Sequence, residues 1–342
     1  MVLKELAVGR DNNLNLIRFL AASLVIFSHS YWLTGHLQDE PLQKLCGMET
    51  FGSLGVDIFF SISGFLITKS LVRQPLLGSF VRARVLRIFP GLIASALFCT
   101  FVVGPIATSL PLISYIKQPA VYDFLWRHGT LHDLPNKLPG VFEYNPIPYN
   151  VNSPIWTLPA ELLLYFMVFL LGAIILIIQR KQNVLSFLLI LSLLLGYFYG
   201  IPYSASYLLE ISWWLISFAG GSICYLLRRY IRLNIVVFLL MFVAFLVMFH
   251  FRFRYIKVAF DIVLLYGLLL FAYLPEFQIR RFYKTGDFSY GLYIYALPIQ
   301  QLMVQKTQMT SPILNFISSY LIALPVAVAS WYFLEKPLLR WK

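Results

Sequence analysis

The sequence predicts an all-α membrane protein, a polytopic bundle of about ten transmembrane helices. Hydrophobic residues make up 59% of its 342 residues, whereas charged residues make up only 12%. Soluble domains contain about 45–50% apolar and about 25% charged residues, so the composition excludes a soluble enzyme. It also excludes a disordered chain, because disorder requires low hydrophobicity and high charge.

Ten apolar segments are each close to the roughly 20 residues that one helical span requires. The first of them is not followed by a small-residue cleavage site, so we expect a permanent span and not a signal peptide. The segments lie at about 14–34, 51–71, 88–110, 156–178, 184–201, 207–227, 233–250, 258–274, 288–305 and 313–334.

The net charge of +12 is explained better by basic cytoplasmic loops than by a nucleic-acid partner. With the N-terminus inside, 18 of the 27 basic residues fall on the inner side, and Arg18 lies within the first span. This distribution predicts that both termini are cytoplasmic. The basic loop 251–257 is the exception, because it falls on the predicted outer side. One miscounted span between 184 and 274 would reverse that side.

The longest loop, about residues 111–153, is rich in proline and falls on the predicted outer face. Loops of this length without regular structure are usually functional or disordered. His128 and His132 resemble half of a metal site but lack the further ligands of a zinc protease, so we predict no metal site. We expect residues 1–342 to form a single transmembrane domain without a fused soluble domain.

Two ionisable residues lie within the first predicted span, where such groups are costly and usually mark function. Arg18 and His29 are eleven positions apart, which is about three helical turns, so they share one face about 16 Å apart. An arginine that snorkels to the interface is the structural alternative for Arg18. Packing alone gives no reason for an imidazole at position 29.

Three arginines precede the third predicted span, and Arg84 and Arg87 are neighbours if this segment is helical. The planar guanidinium fork matches phosphate oxygens better than an ammonium does. A phosphate-rich cytoplasmic ligand would therefore suit this pair. The alternative is that the cluster only anchors the span at the inner face.

Glu161 lies where the fourth predicted span enters the membrane from outside, and Tyr165 follows it on the same helix face. A carboxylate there needs a basic partner, and His29 lies at a similar predicted depth. Such a carboxylate would hold the imidazole tautomer and stabilise the imidazolium. A glutamate that faces water is the alternative, and Trp156 alone could be an interfacial aromatic residue.

These clusters, in this order, resemble the acyltransferase 3 family of bacterial multi-pass membrane acyltransferases. The resemblance extends from about residue 11 to the end of the chain. Six features carry it: Arg18 with His29, the segment Gly55-Val-Asp-Ile-Phe-Phe-Ser-Ile-Ser-Gly-Phe-Leu-Ile67, Arg84-x-x-Arg87-Ile-Phe-Pro90, Trp156-Thr-Leu-x-x-Glu161-x-x-x-Tyr165, Ser289-Tyr290-Gly-Leu-Tyr293, and Glu335-Lys336-Pro337.

The resemblance implies an O-acetyltransferase of the bacterial inner (plasma) membrane. It would move an acyl group, usually acetyl, from cytoplasmic acyl-CoA (acetyl-CoA) to a hydroxyl of an extracytoplasmic surface glycan or related sugar. Acyl-CoA is then the donor substrate, and no permanently bound cofactor is implied. The expected partners are the sugar or glycan acceptor and the lipid bilayer, and no nucleic acid.

The resemblance also assigns residues. The family's signature histidine corresponds to His29, its paired arginine to Arg18, and its glutamate to Glu161. Ala296 departs from the pattern, because relatives often have a histidine there. Any role of that histidine is absent here, or is taken by Tyr295 or a residue elsewhere.

The residues and the resemblance together predict a mechanism. Arg84 and Arg87 hold the acyl-CoA phosphates at the inner face, and the pantetheine arm passes Arg18 toward His29. The imidazole then acts as a general base or carries the acyl group as an acyl-imidazole.

Glu161 orients the imidazole in this prediction, and Trp156 and Tyr165 line the acceptor side. A transporter or flippase of a glycan precursor is the alternative function. It would not consume acyl-CoA. A membrane scaffold without chemistry is a second alternative.

Overall fold

The computed structural model describes residues 1–9, 11–73, 77–178, 206–274, 279 and 282–341, and no strand occurs among them. Long helices account for most of this part of the chain. They are α1 (Leu14–Leu33), α2 (Phe51–Arg73), α3 (Leu77–Phe98), α4 (Thr157–Ile178), α5 (Ser206–Leu226), α6 (Ile235–His250), α7 (Ile256–Tyr273), α8 (Ser289–Thr307) and α9 (Pro312–Ser330).

The prediction of an all-helical membrane protein is confirmed for the described residues. The long helices lie at nine of the ten predicted positions, and the tenth, 184–201, lies outside the described residues. Six described helical segments are long and apolar enough to cross a membrane. The number of spans and the cytoplasmic location of both termini stay predictions.

Short helices and single helical turns connect or extend the long helices. They are Leu3–Leu6, Leu37–Asp39, Pro41–Cys46, Cys99–Val103, Gly104–Ala107, Leu112–Ile116, Pro119–Thr130, Ser153–Trp156, Phe282–Thr285, Trp331–Glu335, Lys336–Leu338 and Leu339–Trp341.

Helix α3 begins at Leu77, eleven residues before the predicted start of the third span. The prediction followed the apolar run, whereas the helix extends beyond that run through the arginine segment. Arginine is a good helix former, so this polar segment has no reason to interrupt the helix. The arginine cluster therefore lies inside a helix and projects its side chains at helical spacing.

The described chain divides into two compact units. The first unit contains Met1–Arg18, Val56–Phe80 and Glu161–Gly286. The second unit contains Phe19–Gly55, Val81–Ala160 and Asp287–Lys342. A single domain over 1–342 stays a prediction.

In the first unit, α2 and α5 approach each other so closely that glycine is required at the contact. A Cβ atom at Gly64 would lie 1.9 Å from the Phe218 carbonyl oxygen. A Cβ atom at Gly221 would lie 2.0 Å from the Ser61 carbonyl oxygen. These two glycines therefore permit backbone contact between the helices.

In the second unit, α8 is the most enclosed long helix, with 13 of its 19 residues buried. It packs closely on α9, because a Cβ atom at Gly291 would lie 2.9 Å from the Ala327 Cα atom. Buried amide side chains donate hydrogen bonds inside this packing. Gln300 donates to the Ile26 carbonyl oxygen at 2.8 Å, and Asn315 donates to the Gln300 carbonyl oxygen at 3.1 Å.

The segment 111–153, called the outer segment because it is predicted to lie on the outer face, is more ordered than its proline content predicted. It contains the helices Leu112–Ile116 and Pro119–Thr130. Several of its side chains, including Tyr115, Phe124 and Phe142, are fully buried in one apolar cluster with the end of α3. This segment therefore shares an apolar core with the residues around the end of α3, which an irregular loop would not do.

Candidate active site

Arg87 forms the centre of a polar cluster in the second unit. Its Nη2 atom donates to Asp287 Oδ2 at 2.7 Å, and its Nη1 atom lies 3.6 Å from Glu335 Oε2. The guanidinium also lies 5.5 Å from the ring centroid of Tyr290 and 5.8 Å from that of Trp331. Arg87 thus links α3 to Asp287, which precedes α8, and to Glu335, which lies in the helical turn after α9.

The ion pairs of this cluster are largely removed from solvent. The side chains of Arg87, Asp287 and Glu335 are 13%, 10% and 2% exposed. Ser289 donates to Asp287 Oδ1 at 2.5 Å, and Ser330 donates to Glu335 Oε1 at 3.0 Å. Two carboxylates therefore surround one guanidinium. Because they offset its positive charge, the cluster does not favour an anion at Arg87 itself.

Arg84 lies on α3 one turn before Arg87, as the spacing predicted. Its side chain is half-buried, whereas that of Arg82 is exposed. Arg84 therefore lies partly inside the protein, and its contact with a phosphate group stays a prediction.

His29 lies on α1 and is half-buried. Its ring centroid lies 6.0 Å from that of Trp32. Among the described residues of its own unit, none forms a hydrogen bond with the imidazole. Both ring nitrogens are therefore available to a ligand.

Small residues bring α1 and α2 together near the histidine. A Cβ atom at Gly55 would lie 2.7 Å from the Ala21 carbonyl oxygen, and one at Gly52 would lie 3.0 Å from Ser28 Oγ. This contact lies next to His29 in the sequence of α1. Gly55 is also the first residue of the segment 55–67, one of the six features that carry the family resemblance.

Arg18 lies on the same helix as His29, eleven positions earlier. In the first unit its guanidinium lies 5.8 Å from the ring centroid of Phe59, on α2. This contact is typical of a cation–π interaction. The structure therefore places Arg18 against the segment 55–67 of α2.

Glu161 lies in the first turns of α4, and its partners are in the first unit. Tyr165 donates to Glu161 Oε1, as expected for residues four positions apart, and Ser63 donates to the same oxygen at 3.3 Å. The shared face of Glu161 and Tyr165 is thus present. The pairing of Glu161 with His29 stays a prediction.

The residues around Trp156 fasten the start of α4 within the second unit. The Asn152 amide donates to the Ile294 carbonyl oxygen at 2.9 Å and to Ser95 Oγ at 3.3 Å. Thr157 Oγ1 lies 2.7 Å from the Tyr293 hydroxyl. Trp156 itself is half-buried at the end of the turn Ser153–Trp156.

The sequence did not predict a role for several of these residues. Asn152 and Ser95 are buried and form a hydrogen bond, and the half-buried Tyr293 contacts Thr157. Asp287 and Glu335 hold Arg87. The available signal was a set of polar residues within apolar runs. Their partners lie more than 50 positions away, which no local pattern reveals.

Ala296 and Tyr295 lie on α8, and both are buried. The Tyr295 hydroxyl lies 3.5 Å from Ser330 Oγ, which in turn contacts Glu335. Tyr295 is thus connected to the Arg87 cluster, at the edge of hydrogen-bond distance.

Lys257 was expected in the outer basic loop, but it lies inside α7 and forms ion pairs. Its ammonium lies 2.5 Å from Asp57 Oδ2 and 3.2 Å from Asp261 Oδ1. Lys257 is therefore paired within the first unit, and the side of the membrane on which it lies stays a prediction. The charge of that loop comes from its arginines.

His128 is buried in the outer segment and packs as a structural residue. Its ring stacks on Phe124 with 3.9 Å between centroids, and its Nε2 atom lies 2.6 Å from the Pro135 carbonyl oxygen. Burial lowers the pKa of His128 to about 4, although the hydrogen bond to Pro135 opposes this shift. The imidazole is therefore neutral at pH 7.

Comparison with known proteins adds three findings. A family model described as "Acyltransferase domain" matches residues 11–335. An "O-acetyl transferase" of Shigella phage Sf6 is 27% identical over 349 positions, which cover 96% of both chains. "Nodulation protein 10" of Rhizobium leguminosarum bv. viciae is 35% identical over 171 positions, which cover 47% of this chain and 44% of that protein. No solved structure matches the chain significantly.

Proposed function

The chain belongs to the acyltransferase 3 family, and from this premise we propose that it transfers acetyl from acetyl-CoA to a hydroxyl of an extracytoplasmic glycan. It is an acyltransferase with the apolar helices of a membrane protein. The donor, the acceptor and the bacterial inner membrane as its location are parts of the proposal. The O-acetyl transferase that aligns with 96% of the chain supports acetyl as the group transferred.

One observation carries the catalytic assignment: the His29 imidazole lies on an apolar helix and has no hydrogen-bond partner among the described residues of its unit. An imidazole without a partner in the protein can exchange hydrogen bonds with a ligand. An acceptor hydroxyl or a thioester carbonyl would supply that interaction. We therefore propose that His29 is the catalytic residue.

The proposed reaction balances through the imidazole. In direct transfer, the imidazole takes the proton of the acceptor hydroxyl while the oxygen attacks the thioester carbonyl carbon. The C–S bond breaks, and the departing thiolate of CoA takes the proton from the imidazolium. In the covalent route, an imidazole nitrogen first attacks the carbonyl carbon and releases CoA thiol. The acceptor oxygen then attacks the acyl carbon, the C–N bond breaks, and the imidazole nitrogen takes up the acceptor proton.

The donor site is proposed at the arginine segment of α3. Arg84 would supply the fork for the CoA phosphates. Arg87 would hold α3 in place through Asp287 and Glu335, so that its contribution to donor binding is mainly indirect. Arg18 lies about 16 Å from His29 along α1 and would accompany the pantetheine arm.

The acceptor side is less constrained by the geometry. Trp156 and Tyr165 remain proposed acceptor-lining residues, and Glu161 remains the proposed orienting carboxylate. The hydrogen bonds from Tyr165 and Ser63 fix the position of the Glu161 carboxyl group, as an orienting role requires.

Mass spectrometry of surface glycans tests the function directly. Cells with the chain should carry O-acetyl groups that cells without it lack, and labelled acetyl-CoA should lose its acetyl group in parallel. A glycan that reaches the surface without acetylation and without consumption of acetyl-CoA would support the transporter alternative and contradict the proposal.

A further inference from the structure

A groove of about 350 Å³ lies between α6 and α7 in the first unit. Met241, Phe245 and Met248 form one wall, and Val258 and Ile262 belong to the other. From Met241 to Met248 the groove follows α6 for about 10 Å. No residue of α6 is buried, so the groove opens on a face that the described protein leaves uncovered.

The loop that joins the two helices closes one end of this groove with cations and aromatic rings. Arg252 and Arg254 alternate there with Phe251, Phe253 and Tyr255, and all five residues are exposed. Aromatic rings of this kind are typical of the membrane interface. The alternation therefore places two guanidinium groups at the depth of lipid headgroups.

Tyr255 connects the loop to the groove. Its side chain lines the groove, and the Arg254 guanidinium lies 5.8 Å from its ring centroid. Between residues 235 and 260 the sequence contains no aspartate or glutamate. Among the described residues, no carboxylate forms an ion pair with Arg252 or Arg254. The mouth of the groove is therefore positively charged and lacks a counter-ion in this part of the chain.

We propose that the groove and its arginine loop bind a lipid whose headgroup carries a phosphate. One apolar chain of the lipid lies along the methionine wall, and the phosphate oxygens accept hydrogen bonds from Arg252 and Arg254. This site is separate from His29 and from the arginine segment of α3, and the inference does not depend on the proposed reaction.

Three physical arguments select this ligand. The groove walls offer no polar partner, so a hydrocarbon chain fits them and a free sugar does not. The guanidinium fork matches phosphate oxygens, and basic pockets beside membrane helices bind phosphate headgroups. Basic residues are disfavoured in outer loops, so a ligand explains why two arginines occur on the predicted outer side.

Native mass spectrometry of the purified full-length chain in detergent tests this site. The probes are phosphatidylglycerol, diacylglycerol, which lacks the phosphate, and inorganic phosphate. We expect phosphatidylglycerol to bind in preference to the other two probes. The double variant Arg252→Gln, Arg254→Gln should weaken its binding at least about tenfold, because each cation near a lipid surface contributes to headgroup attraction.

Two matched controls separate this site from general effects. The double variant Arg229→Gln, Arg340→Gln removes the same charge at exposed positions elsewhere and should change binding less than about threefold. Ala244→Phe fills the groove and should lower phosphatidylglycerol binding without a charge change. Leu240→Phe, on an exposed position of α6 outside the groove, should not.

Each remaining outcome overturns the proposal. Equal binding of diacylglycerol would exclude headgroup recognition, and equal binding of inorganic phosphate would indicate a free-anion site without a lipid chain. Unchanged phosphatidylglycerol binding in both the arginine double variant and Ala244→Phe would exclude this groove. Because all substituted positions are exposed, the variants should remain folded, which circular dichroism checks.

Discussion

His29 and Arg87 differ in how many partners the protein provides for their side chains. Arg87 is held by two carboxylates and two aromatic rings, whereas the His29 imidazole has one aromatic neighbour. A side chain that is fully satisfied by the protein supports the fold. One that is not is available for a ligand.

Replacing His29 tests the catalytic assignment. His29→Ala should lower acetyl transfer by about 10²–10⁴-fold, which is the usual contribution of general acid–base catalysis. The protein should remain folded, because no hydrogen bond in its unit is lost. Acetyl transfer is measured with labelled acetyl-CoA on purified protein, with His36→Ala at an exposed histidine as the control. Activity above about a tenth of wild type would contradict the assignment.

Breaking the Arg87 cluster tests its supporting role. Asp287→Asn should destabilise the protein by about 3–5 kcal/mol, because it removes one partner of a largely buried ion pair. Thermal unfolding in detergent measures this effect. Asp123→Asn is the control, since the carboxylate of Asp123 is exposed and pairs with Arg127, so the change should cost less than about 1 kcal/mol. Equal stability of the two variants would contradict the role.

At the scale of helices, glycine positions decide how closely the helices pack. Gly221→Ala should destabilise the first unit by about 1–3 kcal/mol, because the added methyl group would overlap the Ser61 carbonyl oxygen of α2. At Gly78 a Cβ atom meets nothing within 4 Å, so Gly78→Ala should be neutral or stabilising by up to about 1 kcal/mol. A thermal shift of the same sign and size in both variants would contradict this packing.

The stability of the helices of the outer segment should depend on pH through the protonation of His128. Its pKa is about 4 in the folded protein and near 6.5 in an unfolded chain, so between these values the unfolded state binds more protons. Stability from this group is complete above about pH 6.5 and decreases as the pH falls toward 4, by at most about 3 kcal/mol.

Limited proteolysis at pH 7 and pH 5 measures this dependence. Cleavage within 111–153 should increase at pH 5 in the wild type. His128→Phe, which keeps a ring beside Phe124, should reduce the difference, whereas His36→Ala should leave it unchanged. An equal increase in all three proteins would show that His128 is not the cause.

At the scale of the whole molecule, His29 and Glu161 belong to different units, so any coupling between them is a property of the complete chain. We expect Glu161→Gln to lower acetyl transfer by about 10²-fold, because the amide keeps the shape but not the charge. The double variant with His29→Ala should be no worse than His29→Ala alone, since groups that act as a unit are not additive. Additive losses in single-turnover measurements would indicate that Glu161 has a separate role.

The sequence predicted helix positions well because apolar runs mark them, and it predicted the neighbourhood of Arg84 and Arg87 because helical spacing is local. It did not predict the carboxylate partners of Arg87. Asp287 is 200 positions away, and only tertiary packing brings it to α3. The start of α3 was misplaced for a related reason, since a helix can continue where hydrophobicity ends.

Helix α8 has a consequence for how the protein is made. It is enclosed and carries buried glutamines, and it is absent from the six described segments that are apolar enough to cross a membrane unaided. A helix of this kind inserts poorly into the membrane by itself during synthesis. Because Gly291 packs closely on α9, we expect the two helices to enter the bilayer together as a hairpin, so that α8 is stably inserted only after α9 has been synthesised.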